Sequence, residues 1–188
     1  MDRHIPQILY NKILKNIPIV CIDVAIIHGS KALLIKRKDE PGLNQWWVPG
    51  GRLYKGEDLQ KCAKRKALEE TGLECTVGDC IHVSNTIFET GPNNIPVHSV
   101  NLCYRLEPKY KKIKLDDHSS DYKWVQYVSQ EKLHTYVEIC LLKSGIKNLT
   151  PEEEIEAQKI DFTISPYWNN LLIYFIINKI VLFLKGEA

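Results

Sequence analysis

The chain has 188 residues, of which 44% are hydrophobic and 26% charged, and its formal net charge is +2. These proportions are typical of a globular protein and exclude a disordered or fibrous one. The near balance of charge gives no general attraction to nucleic acid or to a membrane surface. The length suits one domain with some additional segments, and we predict that this domain spans residues 1–188.

The cysteines and the first residues bear on the compartment. No two of the six cysteines have C-x-x-C spacing, which argues against a zinc site and favours reduced cysteines in the core. Residues 1–15 mix charged and apolar side chains instead of placing a basic segment before an apolar one. A secretion signal is therefore not expected, and we predict a cytoplasmic protein.

The first third of the chain predicts strands and turns. Residues Ile17–His28 are rich in β-branched side chains, and a turn at Gly29 leads into a second apolar run, which predicts a β-hairpin. After a polar loop, Trp46–Val48 is predicted to be a short strand that stops at the breaker-rich Pro49–Gly51.

Apolar residues recur at helical spacing from Glu57 to Thr71, and Gly72 is suited to end that helix. Three further strands are predicted at Cys75–Glu89, Val97–Leu106 and Tyr122–Val128. This order of elements, in which strands are followed by one helix and then by more strands, predicts an α+β sandwich.

The last part of the chain predicts a helical extension over about 150–188, outside a core of about 17–146. Thr150–Glu153 has the capping-box pattern, and Ser165 followed by Pro166 is a second helix start. The apolar run Leu171–Leu184 is too short to cross a bilayer, which needs about 20 apolar residues. We expect this last helix to be buried or to form a homodimer, and we expect no membrane partner.

The strongest chemical signal lies between Gly51 and Leu73, in the sequence GRLYKGEDLQKCAKRKALEETGL. Four charged residues fall on one face of the predicted helix: Arg65, Lys66, Glu69 and Glu70. Carboxylates are the hard oxygen ligands that Mg²⁺ prefers, and the glycine turn lets the backbone approach them. Plain ion pairs on a solvated face would explain the charges but not the glycines, and each cation precedes its anion, the weaker order.

This segment resembles the Nudix box, G-x5-E-x7-R-E-U-x-E-E-x-G-U, where U is aliphatic. The fixed letters are matched by six residues: Gly51, Glu57, Arg65, Glu69, Glu70 and Gly72. The resemblance implies a Nudix-type α/β/α sandwich with a mixed sheet, to which this chain adds C-terminal helices. It also implies a hydrolase of a nucleoside diphosphate linked to another group, dependent on Mg²⁺ or, alternatively, Mn²⁺. Its metal shell would include Gly50, Glu69 and Glu70, while Glu57 and Arg65 brace the loop against the helix.

Lys66 departs from the box, which usually has a glutamate there that acts as general base or additional metal ligand. An ammonium group cannot bind Mg²⁺, and it reduces the capacity of the neighbouring carboxylates for several cations. We therefore predict one essential metal ion and a base elsewhere in the chain.

One Nudix branch, the GDP-mannose mannosyl hydrolases, also lacks that glutamate and attacks the sugar carbon. Segments similar to that branch are Ile19–Asp23, Lys36–Arg37, Trp47–Gly51, His98 and Asp116–Trp124. In that branch a loop histidine is the general base and a neighbouring polar residue completes the metal shell, which implies His118 and Asp117. His118 stands one residue farther from Tyr122 than in the branch, so Asp117 and Asp121 remain alternatives for either role.

Five residues are candidates for substrate contact. Asp23 lies in an apolar strand and needs a partner or a ligand hydroxyl, and Arg37 suits a diphosphate oxygen or is an ordinary exposed arginine. Trp46 and Trp47 alternate faces, so at most one stacks on a base. His98 begins a central strand, but Ser99 replaces the aromatic residue that contacts the sugar in the branch, so mannose itself is not implied.

Three functions follow. The leading hypothesis is hydrolysis of a nucleotide sugar such as GDP-mannose, with His118 activating water, metal on Gly50, Glu69 and Glu70, and Arg65 ordering the helix. The second is an ADP-ribose or nucleoside triphosphate pyrophosphatase, with Glu69 as a substitute base. The third is a nucleotide-binding module without catalysis. In each case the partner is a nucleotide-linked small molecule and not a nucleic acid.

Overall fold

The computed structural model describes residues 5–159. The helices are α1 (Gln7–Asn16), α2 (Leu59–Thr71), α3 (Thr135–Lys143) and α4 (Pro151–Lys159). The strands are β1 (Ile19–His28), β2 (Lys31–Arg37), β3 (Trp46–Trp47), β4 (Gly50–Arg52), β5 (Cys75–Phe88), β6 (Val97–Pro108) and β7 (Ser119–Val125).

Within this part of the chain the strands form one mixed sheet of seven, with the order β3-β2-β1-β6-β5. Strand β1 runs parallel to β6, whereas on its other edge one end pairs with β2 and the other with β4, both antiparallel. The remaining strand, β7, pairs with β2. This arrangement leaves β4, which carries the glycine turn, against the first half of β1.

A helix covers each face of the sheet because the side chains of β1 alternate between two layers. Ile22, Val24 and Ile26 pack with buried residues of α2, whereas Ala25 and Ile27 pack with buried residues of α3. The predicted α/β/α sandwich is confirmed. The two layers hold the sheet and α2 in a fixed relation, which positions the carboxylates of α2 beside β4.

The structure confirms the hairpin of β1 and β2, with His28 opposite Lys31, and the helix that Gly72 ends at φ 69°. That helix begins at Leu59, two residues later than predicted, since Asp58 caps it by accepting from the Lys61 N–H. The last predicted strand lies three residues earlier, as β7.

Two helices were not predicted from the sequence. Helix α1 follows Pro6, has no side-chain cap and buries only Leu14, so its sequence signal is weak. Helix α3 is capped by His134, which accepts from the Tyr136 N–H at 3.1 Å and is not among the usual N-cap residues.

All six cysteines are free, and four of them are buried. Cys80 is exposed, so the expectation that all six belong to the core is wrong at this position.

Helix α4 confirms the predicted capping box in both halves. Thr150 Oγ1 accepts from the Glu153 N–H at 3.2 Å, and Glu153 Oε2 accepts from the Thr150 N–H at 2.9 Å. The second predicted helix start at Ser165 and the apolar run Leu171–Leu184 lie outside the described residues. Over residues 5–159, no helix combines the length and the apolar character that a membrane span requires. The cytoplasmic location, the homodimer and the domain bounds stay predictions.

Candidate active site

The glycine turn is joined directly to helix α2. Gly50 pairs with Asp23 across β4 and β1, and its N–H donates to Oε2 of Glu70 at 3.0 Å. A Cβ atom on Gly50 would lie 2.1 Å from Oδ1 of Asp23, so no other residue fits this position. The turn therefore brings the Gly50 backbone against a carboxylate of the box.

Arg65 connects α2 to the segment that precedes it. Its Nε and Nη2 donate to the two carboxylate oxygens of Glu57 at 2.7 and 2.8 Å, and Nη2 also donates to the Arg52 carbonyl at 3.2 Å. The Arg65 guanidinium lies 4.1 Å from the centroid of the Tyr54 ring. Hydrogen bonds from Arg65 lower the pKa of Glu57 to about 2. In this geometry Arg65 positions the helix.

Lys66 lies between the two carboxylates predicted to hold the metal. Its Nζ is 3.3 Å from Oε2 of Glu69 and 3.4 Å from Oε1 of Glu70. Burial raises the pKa of Glu70 to about 7, although Lys66 and the Gly50 N–H act in the opposite direction. Burial by itself lowers the pKa of Lys66, but the charges of Glu70 and Glu69 outweigh it and the net change is upward. Contact with a cation thus favours the charged form of Glu70.

A cavity of about 1140 Å³ brings most of the predicted catalytic and metal residues together. Its walls include Gly50, Glu69, Glu70, Asp117 and His118. The cavity is therefore wide enough for a large substrate, and His118 faces the same space as the carboxylates of α2.

His118 has a partner that the sequence did not indicate. Its Nδ1 lies 2.6 Å from Oδ2 of Asp39, and this hydrogen bond raises the pKa of His118. With Nδ1–H donating to Asp39, the lone pair is on Nε2. Asp39 lies 79 positions away in a polar loop, and no local pattern links the two residues.

A smaller cavity of about 230 Å³ adjoins the first, and both are lined by Arg37 and Gly50. Nε of Arg37 is buried and has no hydrogen-bond partner among residues 5–159. Since a buried donor without a partner is costly, Arg37 is suited to bind an anionic oxygen where the cavities meet.

Asp23 lines the smaller cavity but already has two protein partners. Its Oδ2 accepts from Nδ2 of Asn101 and from the Tyr136 hydroxyl, both at 2.7 Å. Burial raises its pKa. These bonds satisfy the buried carboxylate, and contact with substrate stays a prediction for this residue. Oδ1 of Asn101 in turn accepts from the hydroxyls of Thr86 and Ser99, at 3.0 and 2.8 Å.

The tryptophans and His98 lie in three different environments. Trp47 is buried, stacks on Tyr136 at 5.7 Å and lines the smaller cavity. Trp46 is half-buried with Nζ of Lys123 4.2 Å from its ring centroid, and it lines neither cavity. His98 is exposed and also lines neither, because its neighbours Val97 and Ser99 face the smaller cavity. The geometry gives Trp46 and His98 no support as substrate-binding residues.

The predicted metal shell is suited to Mg²⁺ or Mn²⁺ with few protein ligands. In the described range no three His, Cys, Asp or Glu side chains converge as a metal site. Mg²⁺ usually keeps several waters and is held by one or two carboxylates plus substrate phosphates. Glu69 and Glu70 beside the Gly50 peptide fit that requirement, and the Lys66 ammonium shows that their surroundings accept a cation.

The chain is similar to one known protein family and to several known proteins. Residues 18–157 match the NUDIX domain family. Over 138 residues it is 31% identical to the low-salt glycan biosynthesis protein Agl8 of Haloferax volcanii, covering 71% of this chain and 86% of that protein. It is 41% identical over 56 residues to an ADP-ribose pyrophosphatase of Methanocaldococcus jannaschii, covering 30% of this chain and 33% of that protein.

The fold is similar to the crystal structure of a MutT protein from Methanosarcina mazei Go1, with a TM-score of 0.58 and 21% identity. That likeness covers 68% of this chain and 93% of the other. The family match includes the glycine turn, α2 and His118. The chain belongs to the Nudix family and is a Nudix hydrolase.

Proposed function

We propose that this enzyme hydrolyses a nucleotide sugar, such as GDP-mannose, with Mg²⁺ or Mn²⁺ bound, by attack of water on the sugar carbon. The observation that carries the proposal is the position of the His118–Asp39 pair on the same cavity as Glu69 and Glu70. In the box itself, Lys66 occupies the position of the glutamate that usually acts as base. A histidine is the side chain best suited to accept a proton near neutral pH.

In the proposed reaction Nε2 of His118 removes a proton from water as the oxygen attacks the anomeric carbon. The bond from that carbon to the diphosphate oxygen breaks, the nucleoside diphosphate leaves, and the sugar is released with inverted configuration. Asp39 holds the imidazole, and Arg65 keeps α2 in place through its bonds to Glu57. Glu69, Glu70 and the Gly50 carbonyl would hold a metal ion, with Asp117 as a further candidate ligand, and that ion would supply charge stabilisation for the departing diphosphate.

The two cavities suggest how the substrate lies. Because His118 lines the larger cavity, the attacked sugar belongs there, and the nucleoside belongs in the smaller one. That cavity has aromatic walls at Trp47 and Phe88 and a polar wall at Asn101. The diphosphate then passes Arg37, which lines both cavities and whose buried Nε has no hydrogen-bond partner among residues 5–159.

A second candidate is a pyrophosphatase that directs water to phosphorus, with ADP-ribose or a nucleoside triphosphate as substrate. The relative from Methanocaldococcus jannaschii favours it, because its 56-residue match is named as such an enzyme. Against it, the relative from Haloferax volcanii matches over most of both chains and is named for glycan biosynthesis.

One experiment separates these reactions. A panel of nucleotide sugars, ADP-ribose and nucleoside triphosphates is incubated in ¹⁸O water with Mg²⁺, with the Glu70→Gln variant as the background control. We expect the label in the free sugar, whereas label in phosphate would support the pyrophosphatase. Binding of the panel without turnover would contradict both reactions and support a nucleotide-binding role.

A further inference from the structure

Lys66 is confined at the centre of the site. Its side chain is 16% exposed, its ammonium lies within 3.4 Å of both Glu69 and Glu70, and it forms part of the wall of the larger cavity. Gly51 lies against this side chain, since a Cβ atom on Gly51 would come within 3.0 Å of both Cε and Nζ of Lys66. The ammonium is therefore packed between α2 and β4 and borders the larger cavity.

This position conflicts with a metal ion on the same carboxylates. A divalent cation bound to Glu69 and Glu70 would lie close to the ammonium, and like charges at that separation repel strongly in a partly buried site. The ammonium can leave the carboxylates only if another anion replaces them, since an unpaired buried cation is costly. A diphosphate in the larger cavity is such an anion.

We propose that Lys66 couples metal binding to diphosphate binding. Without substrate, Lys66 neutralises Glu69 and Glu70 and weakens their affinity for Mg²⁺. With a diphosphate in the cavity, the ammonium transfers to a phosphate oxygen, and Lys66 no longer competes with the metal for Glu70 and Glu69, although Oε2 of Glu69 keeps its bond from Nη1 of Arg65 at 2.9 Å. This inference rests on the proposed function only in requiring that a diphosphate enters the larger cavity.

The coupling is measured as the ratio of the Mn²⁺ dissociation constants without and with saturating GDP. Mn²⁺ binding is followed by electron paramagnetic resonance and corrected for the Mn²⁺–GDP complex that forms in buffer. Lys66→Met removes the charge and keeps most of the length of the side chain, and Lys66→Gln is the second variant. Lys64→Met, an exposed lysine of the same helix, is the matched control, and thermal unfolding checks that each variant is folded.

We expect the wild type to bind Mn²⁺ at least about tenfold more tightly with GDP than without, within the usual range of coupling between sites. In Lys66→Met the affinity without GDP should rise about tenfold and the ratio should fall by a similar factor, while Lys64→Met behaves as the wild type. Some coupling remains in any variant, because a metal ion can bind phosphate directly.

The proposal is overturned if the wild-type ratio is below about threefold, a result that can be measured even if no variant folds. It is also overturned if Lys66→Met keeps the wild-type ratio. Because GDP is not turned over, this test is independent of the reaction. If the wild type shows the coupling but turns over no substrate, only the proposed function is contradicted. If the wild type turns over substrate but Lys66→Met keeps the wild-type ratio, only the role of Lys66 is contradicted.

Discussion

The two halves of the candidate site are built differently. Between α2 and the segment that precedes it, the side chains of Glu57 and Arg65 are 7% and 16% exposed and share two short hydrogen bonds. Across the cavity, the side chains of His118 and Asp39 are 79% and 60% exposed and share one. Buried groups that are joined by two hydrogen bonds keep their geometry, whereas an exposed ion pair gains little stability from its contact. The Glu57–Arg65 contact of the α2 half is thus organised before substrate arrives, whereas we expect the His118–Asp39 pair to complete its geometry when substrate binds.

The largest loss should follow from removing a carboxylate in the organised half. Glu70→Gln keeps an acceptor for the Gly50 N–H but removes the charge that would hold the metal. We expect kcat to fall by about 100- to 10,000-fold, as for the loss of several kcal/mol of charge stabilisation, with a higher Mg²⁺ requirement. Steady-state kinetics across a Mg²⁺ titration measure both effects. Activity near the wild-type value would remove Glu70 from the metal shell.

The next effect tests the exposed half. His118→Ala removes the proposed base, so kcat should fall about 100-fold with little change in thermal stability. His28→Ala, at the exposed end of β1, is the control and should leave kcat unchanged. Because Asp117 and Asp121 remain alternative bases, their Asn variants are measured beside it. If kcat falls further in either Asn variant than in His118→Ala, the role of base belongs to that aspartate.

Stability in acid should depend on the organised half. The pKa of Glu57 is about 2, below its ordinary value of 4.5, so its contribution is fully present above pH 4.5 and is lost as the pH falls toward 2. Glu57→Gln should therefore lower the free energy of unfolding by about 2 kcal/mol at neutral pH, and the difference from wild type should shrink below pH 4.5. Urea denaturation at a series of pH values measures this.

Glu74→Gln is the matched control for Glu57→Gln. Its carboxylate pairs with Lys109 at 3.1 Å, but both side chains are more than half exposed, so the expected loss is below about 1 kcal/mol. Equal losses in the two variants would contradict the contrast between the buried and the exposed ion pair.

The contrast also explains how much the sequence alone could predict. Arg65, Glu69 and Glu70 lie on one helix, so helical spacing predicted their common face, and the resemblance to the Nudix box implied the contact between Arg65 and Glu57. Gly72 and the Thr150 capping box are equally local. Asp39, the partner of His118, is brought close by the sheet, since Lys38 in the same loop donates its N–H to the His118 carbonyl. The link between Asp23 and Tyr136 joins β1 to α3, a helix that was not predicted. Contacts that depend on strand order are invisible to a single sequence.

The smallest effect should come from the partner of the base. In Asp39→Asn the amide oxygen can still accept from Nδ1 of His118, so orientation is partly kept and only the charge is lost. We expect kcat to fall about fivefold, less than in His118→Ala, because Asp39 acts through the imidazole. A double-mutant cycle supplies the decisive comparison: in the His118→Ala background, Asp39→Asn should have no further effect on kcat. If the two losses multiply instead, Asp39 acts on substrate or metal independently, and the exposed half of the site would be two separate groups on one cavity wall.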